Sequence, residues 1–270
     1  MRNIKLTIAY DGTDFSGWQA QHGQSTVQGA LGDVLEKVTQ RRLTIYAAGR
    51  TDAGVHAAGQ VVNFKTQSPL VVEEFQHAFN SLLPPSIRVN DAEEVGPDFH
   101  SRWDALAKTY RYRIFRGRVV PPFLWKYVQH DAHELNFDAM AEAARHFIGE
   151  HDFTTFAAST GSEEDDRERM TVRTIYQFNL QRMAPANSHH SAEEWVFVVR
   201  GKSFLRHMVR KMVGTLVDVG RGKLVPGDLP ELLALRDRSK CGPTLPPHGL
   251  CLENVEYPDP ADSLASNDRH

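Results

Sequence analysis

The sequence predicts a mixed α/β (α+β) fold made of two tandem units, and three observations support this prediction. Short segments alternate apolar and polar residues as strands do, while longer segments repeat apolar residues every three or four positions as helices do. These segments follow the order β-α-β-β-α-β in residues 1–104 and again in residues 105–257, which is the order of a ferredoxin-like unit. Residues 258–270 carry no such pattern and are expected to form a disordered tail.

The first unit begins with a strand over 4–10, in which Leu6, Ile8 and Tyr10 share one side before the turn signal Asp11-Gly12. The segments that follow predict a helix over 26–38, strands over 43–47 and 60–64, a helix over 71–83 and a strand over 87–95.

The second unit repeats this order after an aromatic-rich strand. Its segments predict a strand over 107–115, a helix over 137–148, strands over 171–182 and 195–201, a helix over 204–219 and a strand over 250–257. The last helix has a broad apolar stripe, and Arg206 and Arg210 flank it one turn apart. Charged residues over 159–169 and polar residues over 185–194 predict loops.

Composition indicates a soluble protein that we expect in the cytoplasm. The chain has 270 residues, 41% of them hydrophobic, and a mean hydropathy of −0.43. It contains no apolar stretch near the roughly 18 residues of a membrane span, and its first residues lack the apolar core of a signal peptide. The two cysteines, Cys241 and Cys251, provide neither a disulfide framework nor a metal site.

Positive charge is concentrated although the net charge is only −3. Residues 102–126 contain seven Lys or Arg against one acid, and residues 200–223 again contain seven against one. Eleven Asp or Glu within 131–168 compensate for them. Aromatic residues are interleaved with the cations of the first basic segment, a combination that suits unstacked nucleobases. A nucleic-acid surface and two ordinary solvated faces therefore both remain open.

The segment 47–56, which reads AAGRTDAGVH, holds the side chains best suited to catalysis or ligand binding. Its two glycines have the spacing of a phosphate loop, but the lysine and hydroxyl that must follow are missing. The histidines lack zinc-ligand spacing, and the chain has neither a serine nucleophile elbow nor a dinucleotide fingerprint. What remains is Asp52, two residues after Arg50, which is either a reactive carboxylate or a turn residue that caps its own backbone.

The sequence GRTDAGVHA at 49–57 resembles the signature of the tRNA pseudouridine synthases that modify the anticodon stem-loop, the TruA family. Further motifs follow in the family's order and extend the resemblance from about residue 4 to residue 257. They are YDG at 10–12, FSGWQ at 15–19, TVQ at 26–28, FHSR at 99–102, KTYRY at 108–112 and FLRHMVR at 204–210.

The resemblance implies an enzyme that isomerises uridine to pseudouridine at positions 38, 39 and 40 of the anticodon stem-loop. It implies a pseudouridine synthase fold, in which the antiparallel sheets of two ferredoxin-like, or RRM-like, units flank a basic cleft. Asp52 matches the family's essential carboxylate, Arg210 its cationic partner and Tyr110 the tyrosine that stacks on the target uracil, while Arg50 would fill the space that the flipped uridine leaves. No cofactor or metal is implied, the partner is tRNA, and the assembly is a homodimer.

Three chemical roles remain open for Asp52: addition to C6 of uracil, attack on C1′, or removal of the 2′ proton. An alternative function is a non-catalytic RNA-binding protein that uses Tyr110 and Tyr112 to stack bases. Asp52 argues against it, because a carboxylate repels phosphate and serves no purpose in a binder. The chain departs from the family pattern at Ser101, at Arg206 and in the acidic loop.

Overall fold

The computed structural model describes residues 1–159, 170–184 and 192–259, which form two compact units. One unit comprises Met1–Lys108 and the described residues from Leu252 onward, and the other comprises Thr109–Cys251. Most of the predicted tail and of the two predicted loops lies outside the described residues. The final strand, which the sequence placed with the C-terminal half, contributes most of its length to the first unit because it is hydrogen-bonded beside that unit's central strand.

The first unit has the predicted β-α-β-β-α-β order. Its elements are β1 (Arg2–Tyr10), α1 (Val27–Thr39), β2 (Tyr46–Ala47), β3 (His56–Thr66), α2 (Val72–Leu82) and β4 (Ile87–Val95), and it also contains most of β10 (Leu250–Glu256). The strand order is β4-β1-β3-β10, with β2 paired to β3, and β1 is antiparallel to both of its neighbours.

The core of the first unit lies between its helices and one face of the sheet. Ile4 opposes Phe64 and Leu6 opposes Val62 across β1 and β3, and all four side chains are buried. Phe64 contacts Phe75 of α2, with ring centroids 5.6 Å apart. Because side chains alternate along a strand, residues such as Lys5 and Asn63 lie on the opposite face.

The second unit contains a further set of strands with helices. Its elements are β5 (Ala107–Phe115, shared at its start with the first unit), β6 (Gln129–His130), α3 (Phe137–Ala144), β7 (Gly149–Asp152), β8 (Val172–Met183), β9 (Glu194–Gly201), α4 (Met208–Gly220) and α5 (Leu229–Leu235). Within it the strand order is β5-β9-β8-β7, in which β8 is antiparallel to β7 and β9, and the short β6 is parallel to β5. The mixed α/β fold class is thus confirmed. No helix in the described parts of the chain is long and apolar enough to cross a membrane.

Two predicted helices are shorter in the structure. The helix predicted over 204–219 begins at Met208, because His207 adopts a left-handed backbone conformation with φ 63° that a helix cannot include. The helix predicted over 137–148 ends at Ala144 and continues as a single 3₁₀ turn. The structure also adds α5, β6 and β7, which the apolar pattern did not indicate.

The basic segment over 102–126 does not form one solvated face. Lys108 is buried, and Arg113 donates to both carboxylate oxygens of Glu194, at 2.7 and 2.8 Å. Arg116 lies 3.4 Å from a carboxylate oxygen of Asp131. Several of these cations therefore balance internal charges and are not available to a polyanion.

Asp131 joins several loops of the second unit through its carboxylate. Oδ2 accepts a 2.7 Å hydrogen bond from Arg221, and Oδ1 accepts a 3.0 Å hydrogen bond from the backbone N–H of His133. Burial acts to raise the pKa of Asp131, but the hydrogen bonds from His133 and the charges of Arg221 and Arg116 outweigh it, so the pKa lies below its usual value.

We expect Asp131→Asn to lower the free energy of unfolding by about 1–3 kcal/mol at neutral pH, because hydrogen bonds to a buried charge are lost. A carboxyl whose pKa is lowered by folding stabilises the protein at pH values above its pKa in the unfolded state. This contribution disappears as the pH falls through its pKa in the folded state. Urea unfolding from about pH 7 downward should show the difference from wild type shrinking below about pH 4. Asp91→Asn, at an exposed site, is the control; equal losses in both variants would contradict the assignment.

Candidate active site

Asp52 lies in the loop between β2 and β3, within the first unit, and its side chain is half-buried. The carbonyl of Asp52 accepts a 3.1 Å hydrogen bond from the backbone N–H of Val55, which closes a four-residue turn. The carboxylate is therefore carried by a short turn at the start of a long central strand, where the backbone has little freedom to move.

The segment that follows β1, residues 11–18, holds this turn through backbone contacts. The N–H of Trp18 donates to the carbonyl of Thr51 at 3.0 Å, and the N–H of Gly54 donates to the carbonyl of Phe15 at 3.3 Å. Gly12 lies so close that a Cβ there would sit 2.1 Å from the carbonyl oxygen of Val55. We call this set of contacts between 11–18 and 51–56 the backbone clamp.

Buried polar side chains reinforce the backbone clamp. The hydroxyls of Tyr10 and Thr51 are 2.8 Å apart and buried. Nδ1 of the buried His56 lies 3.0 Å from the backbone nitrogen of Gly12, whose N–H donates to it, and 3.2 Å from the carboxylate of Asp11. His56 therefore joins the loop to the segment that follows β1.

The start of the same loop carries Arg50, whose side chain is exposed. The carbonyl of the preceding Gly49 accepts a 2.8 Å hydrogen bond from Gln60 of β3. A Cβ on Gly49 would lie 3.8 Å from Nζ of the buried Lys108, so an ammonium group lies close to this backbone. The sequence places Lys108 in the basic segment over 102–126, which is expected at the surface. Nothing in that segment indicates that Lys108 approaches the loop.

In the second unit, Tyr110 lies on β5 and is 7% exposed. Its ring packs edge-to-face against Phe204, with centroids 5.0 Å apart and an interplanar angle of 81°. Such an arrangement is favourable between aromatic rings and fixes the orientation of the tyrosine.

Arg210 lies in the first turn of α4, also in the second unit. Its Nε donates a 2.6 Å hydrogen bond to the carbonyl of Leu245, which sets the plane of the guanidinium. Burial raises the pKa of Tyr112 strongly, and the positive charge of the nearby Arg210 opposes that shift. The hydroxyl of Tyr112 in turn donates to the carbonyl of Pro246 at 2.9 Å, so strand, helix and the 245–246 segment hold this arginine together.

The structure therefore places the four predicted site residues in two groups. Asp52 and Arg50 share one loop of the first unit, whereas Tyr110 and Arg210 belong to the second. The pairing of Arg210 with Asp52 stays a prediction. Among the described residues, no group of three or more His, Cys, Asp and Glu side chains is arranged to hold a metal ion.

Comparison with known proteins gives consistent matches across the chain. A family model described as tRNA pseudouridine synthase matches residues 6–104 and 143–258. The chain is 45% identical to a protein of Solibacter usitatus (strain Ellin6076) named tRNA pseudouridine synthase A, over 95% of this chain and 100% of that protein. A protein of the same name from Moorella thermoacetica (strain ATCC 39073 / JCM 9320) is 46% identical, over 94% of this chain and 99% of its own length.

We expect Gly12→Ala to destabilise the first unit, because the added methyl group would collide with the backbone at Val55 and break the contact to His56. Overpacking of this kind costs about 1–3 kcal/mol. Gly32→Ala on α1 is the matched control, since a Cβ there meets nothing within 4 Å. Thermal and urea unfolding should show a clear loss for the first variant alone; a wild-type stability for Gly12→Ala would refute the backbone clamp.

Proposed function

The chain belongs to the tRNA pseudouridine synthase A family, and we propose that it isomerises uridine at positions 38, 39 and 40 of the tRNA anticodon stem-loop, with Asp52 as the essential carboxylate. The observation that carries this proposal is the position of Asp52. It occupies a turn fixed by buried backbone contacts, in the segment where the chain carries the family's signature.

The reaction needs only groups that the chain and its substrate supply. The bond between N1 of uracil and C1′ of the ribose breaks, the uracil turns, and C5 forms a bond to C1′. C5 then loses its proton and N1 regains one, so the net change is redox-neutral. Asp52 can act by adding to C6, by attacking C1′ or by removing the 2′ proton, and all three routes need an ionised carboxylate in nearly the same place.

The backbone clamp supports this role because catalysis depends on position. A carboxylate held within a few tenths of an ångström of its reactive position avoids the entropy cost of finding that position. A displacement of about 1 Å can cost roughly 100-fold in rate. The hydrogen bonds to Thr51 and from Val55 fix the backbone on either side of Asp52. Side-chain rotation is then its main remaining freedom.

Tyr110 is proposed to stack on the target uracil, a contact worth about 1–3 kcal/mol, and its hydroxyl is a candidate to receive the C5 proton. The edge-to-face contact with Phe204 supports this role, since it presets the ring plane. Arg210 is proposed to keep Asp52 ionised, and the bond from its Nε to Leu245 would hold its guanidinium in one orientation. Arg50, exposed on the Asp52 loop, is proposed to occupy the space left by the extruded uridine.

The family also suggests that the protein works as a homodimer in the cytoplasm, and we propose both. Exposed apolar side chains of the second unit, including Val119 and Phe123 at 76% and 82% exposure, are surface that a second copy could cover. A non-catalytic RNA binder on the same scaffold is the competing proposal. A pure binder would not need the buried hydrogen bonds that hold the Asp52 loop. It would also gain nothing from a carboxylate that repels the phosphates of RNA.

We expect Asp52→Asn to abolish tritium release from unmodified tRNA that carries [5-³H]uridine, because the amide cannot act as nucleophile or base. Affinity for the tRNA should change less than about threefold, since removing one negative charge does not weaken phosphate contacts. Asp14→Asn, at an exposed acid of the neighbouring segment, is the matched control and should keep the wild-type rate. Residual turnover in Asp52→Asn, or no turnover by wild type despite tight binding, would overturn the assignment.

A further inference from the structure

We propose that Tyr46, His100, Trp103 and the guanidinium of Arg102 form a platform on which an unpaired nucleobase of the RNA substrate stacks, separately from the target uridine. We call these four side chains the aromatic platform. The proposal rests on the proposed function for the identity of the RNA, but its geometry stands within the first unit alone.

The four planar groups are arranged as a ladder. The rings of Tyr46 and His100 have centroids 4.7 Å apart, and those of His100 and Trp103 are 5.6 Å apart. The guanidinium carbon of Arg102 lies 4.6 Å from the centroid of Trp103. Successive rings are tilted by 49° and 36° and are too close together for a base to enter between them. A base would therefore stack on the solvent-exposed part of Trp103, which is 69% exposed.

The platform is exposed to an extent that the stability of the fold does not require. The side chain of Trp103 is 69% exposed and that of Tyr46 is 39% exposed. Large aromatic residues normally contribute by burying area, so an indole this exposed adds little to the core. Bases stack on tyrosine, tryptophan, histidine and arginine planes, and the platform contains one of each.

The turn that carries His100, Arg102 and Trp103 is held by hydrogen bonds although these side chains are at least partly exposed. The N–H of His100 donates to the Asp104 carboxylate at 2.8 Å, and the N–H of Asp104 donates back to the carbonyl of His100 at 3.1 Å. Nδ1 of His100 accepts the N–H of Arg102 at 3.1 Å. The imidazole is therefore fixed against its own backbone, and binding a base would require little additional ordering.

The platform lies on the sheet face opposite the helices of the first unit. Tyr46 is paired with Asn63 across β2 and β3, and residues directly opposite in an antiparallel pair project from the same face. The side chain of Asn63 contacts Asn3 and the backbone of Ser101, beside the platform. Asn3, Asn63 and Ser101 are buried, so the exposed rings of the platform are the part of this face that single-stranded RNA can reach.

Chain geometry places the platform near Asp52. Tyr46 precedes Asp52 by six residues, so their Cα atoms are at most about 20 Å apart. At ~3.4 Å per nucleotide, about six base steps are enough to span that distance. A base of the same stem-loop as the target uridine can therefore reach the platform. The charge of Arg102 can in addition pair with an adjacent phosphate.

The test is a binding cycle between protein variants and RNAs that lack single bases. Trp103→Ala and Tyr46→Ala should each raise the Kd for an unmodified anticodon stem-loop about 5- to 100-fold at fixed salt, and Trp103→Phe should restore most of the affinity. Leu82→Ala, an exposed apolar side chain of α2, is the control and should leave the Kd unchanged.

Abasic nucleotides then identify the contact. If a base stacks on the platform, one abasic position should weaken binding to wild type and abolish the further effect of Trp103→Ala. An unchanged Kd for both alanine variants, or an equal loss for every abasic RNA, would overturn the proposal. A change in oligomeric state without an abasic-dependent effect would instead identify a protein-contact surface. Because the readout is binding, a wild type that binds but releases no tritium would refute the proposed function and leave this result intact.

Discussion

The close approach of the segment after β1 to the loop that carries Asp52 is the constraint on which the rest of the site depends. Gly12 leaves no room for a side chain above Val55, and buried hydrogen bonds join Trp18 to Thr51 and Gly12 to His56. Buried polar groups are costly unless paired, so these bonds make an alternative loop conformation unfavourable.

The cations are divided between internal ion pairs and exposed positions. Glu194 and Asp131 neutralise arginines within the second unit, whereas Arg50 and Arg102 remain exposed in the first. A chain with net charge −3 can therefore still bind RNA, because binding depends on which cations are solvated rather than on their total. The exposed aromatic residues beside Arg102 would add stacking on bases. Salt weakens stacking less than it weakens contacts with phosphates.

Periodicity predicted the strands over 87–95 and 107–115 residue for residue, and the helix over 26–38 to within one residue at each end, because local propensity and burial agree there. The start of α4 could not be predicted, since the apolar stripe continues through His207, whose left-handed backbone conformation the pattern does not reveal. The motifs identified Asp52, but nothing in the sequence indicated the burial of Lys108 or the ring ladder from Tyr46 to Arg102. The approach of Lys108 to Gly49 and that of Tyr46 to His100 join residues that are distant in sequence, and spacing alone does not reveal such contacts.

The most direct test of the account displaces the loop while leaving Asp52 in the chain. Gly17 has φ +95°, and a Cβ there would lie 3.0 Å from the carbonyl oxygen of Thr51 and 3.1 Å from the nitrogen of Ala53, so Gly17→Ala must shift the turn. Single-turnover tritium release with enzyme in excess, well below the unfolding temperature, should slow about 10- to 100-fold while the Kd for tRNA stays within about twofold of wild type. A folded Gly17→Ala enzyme that reacts at the wild-type rate would contradict the claim that the backbone clamp positions the reacting carboxylate.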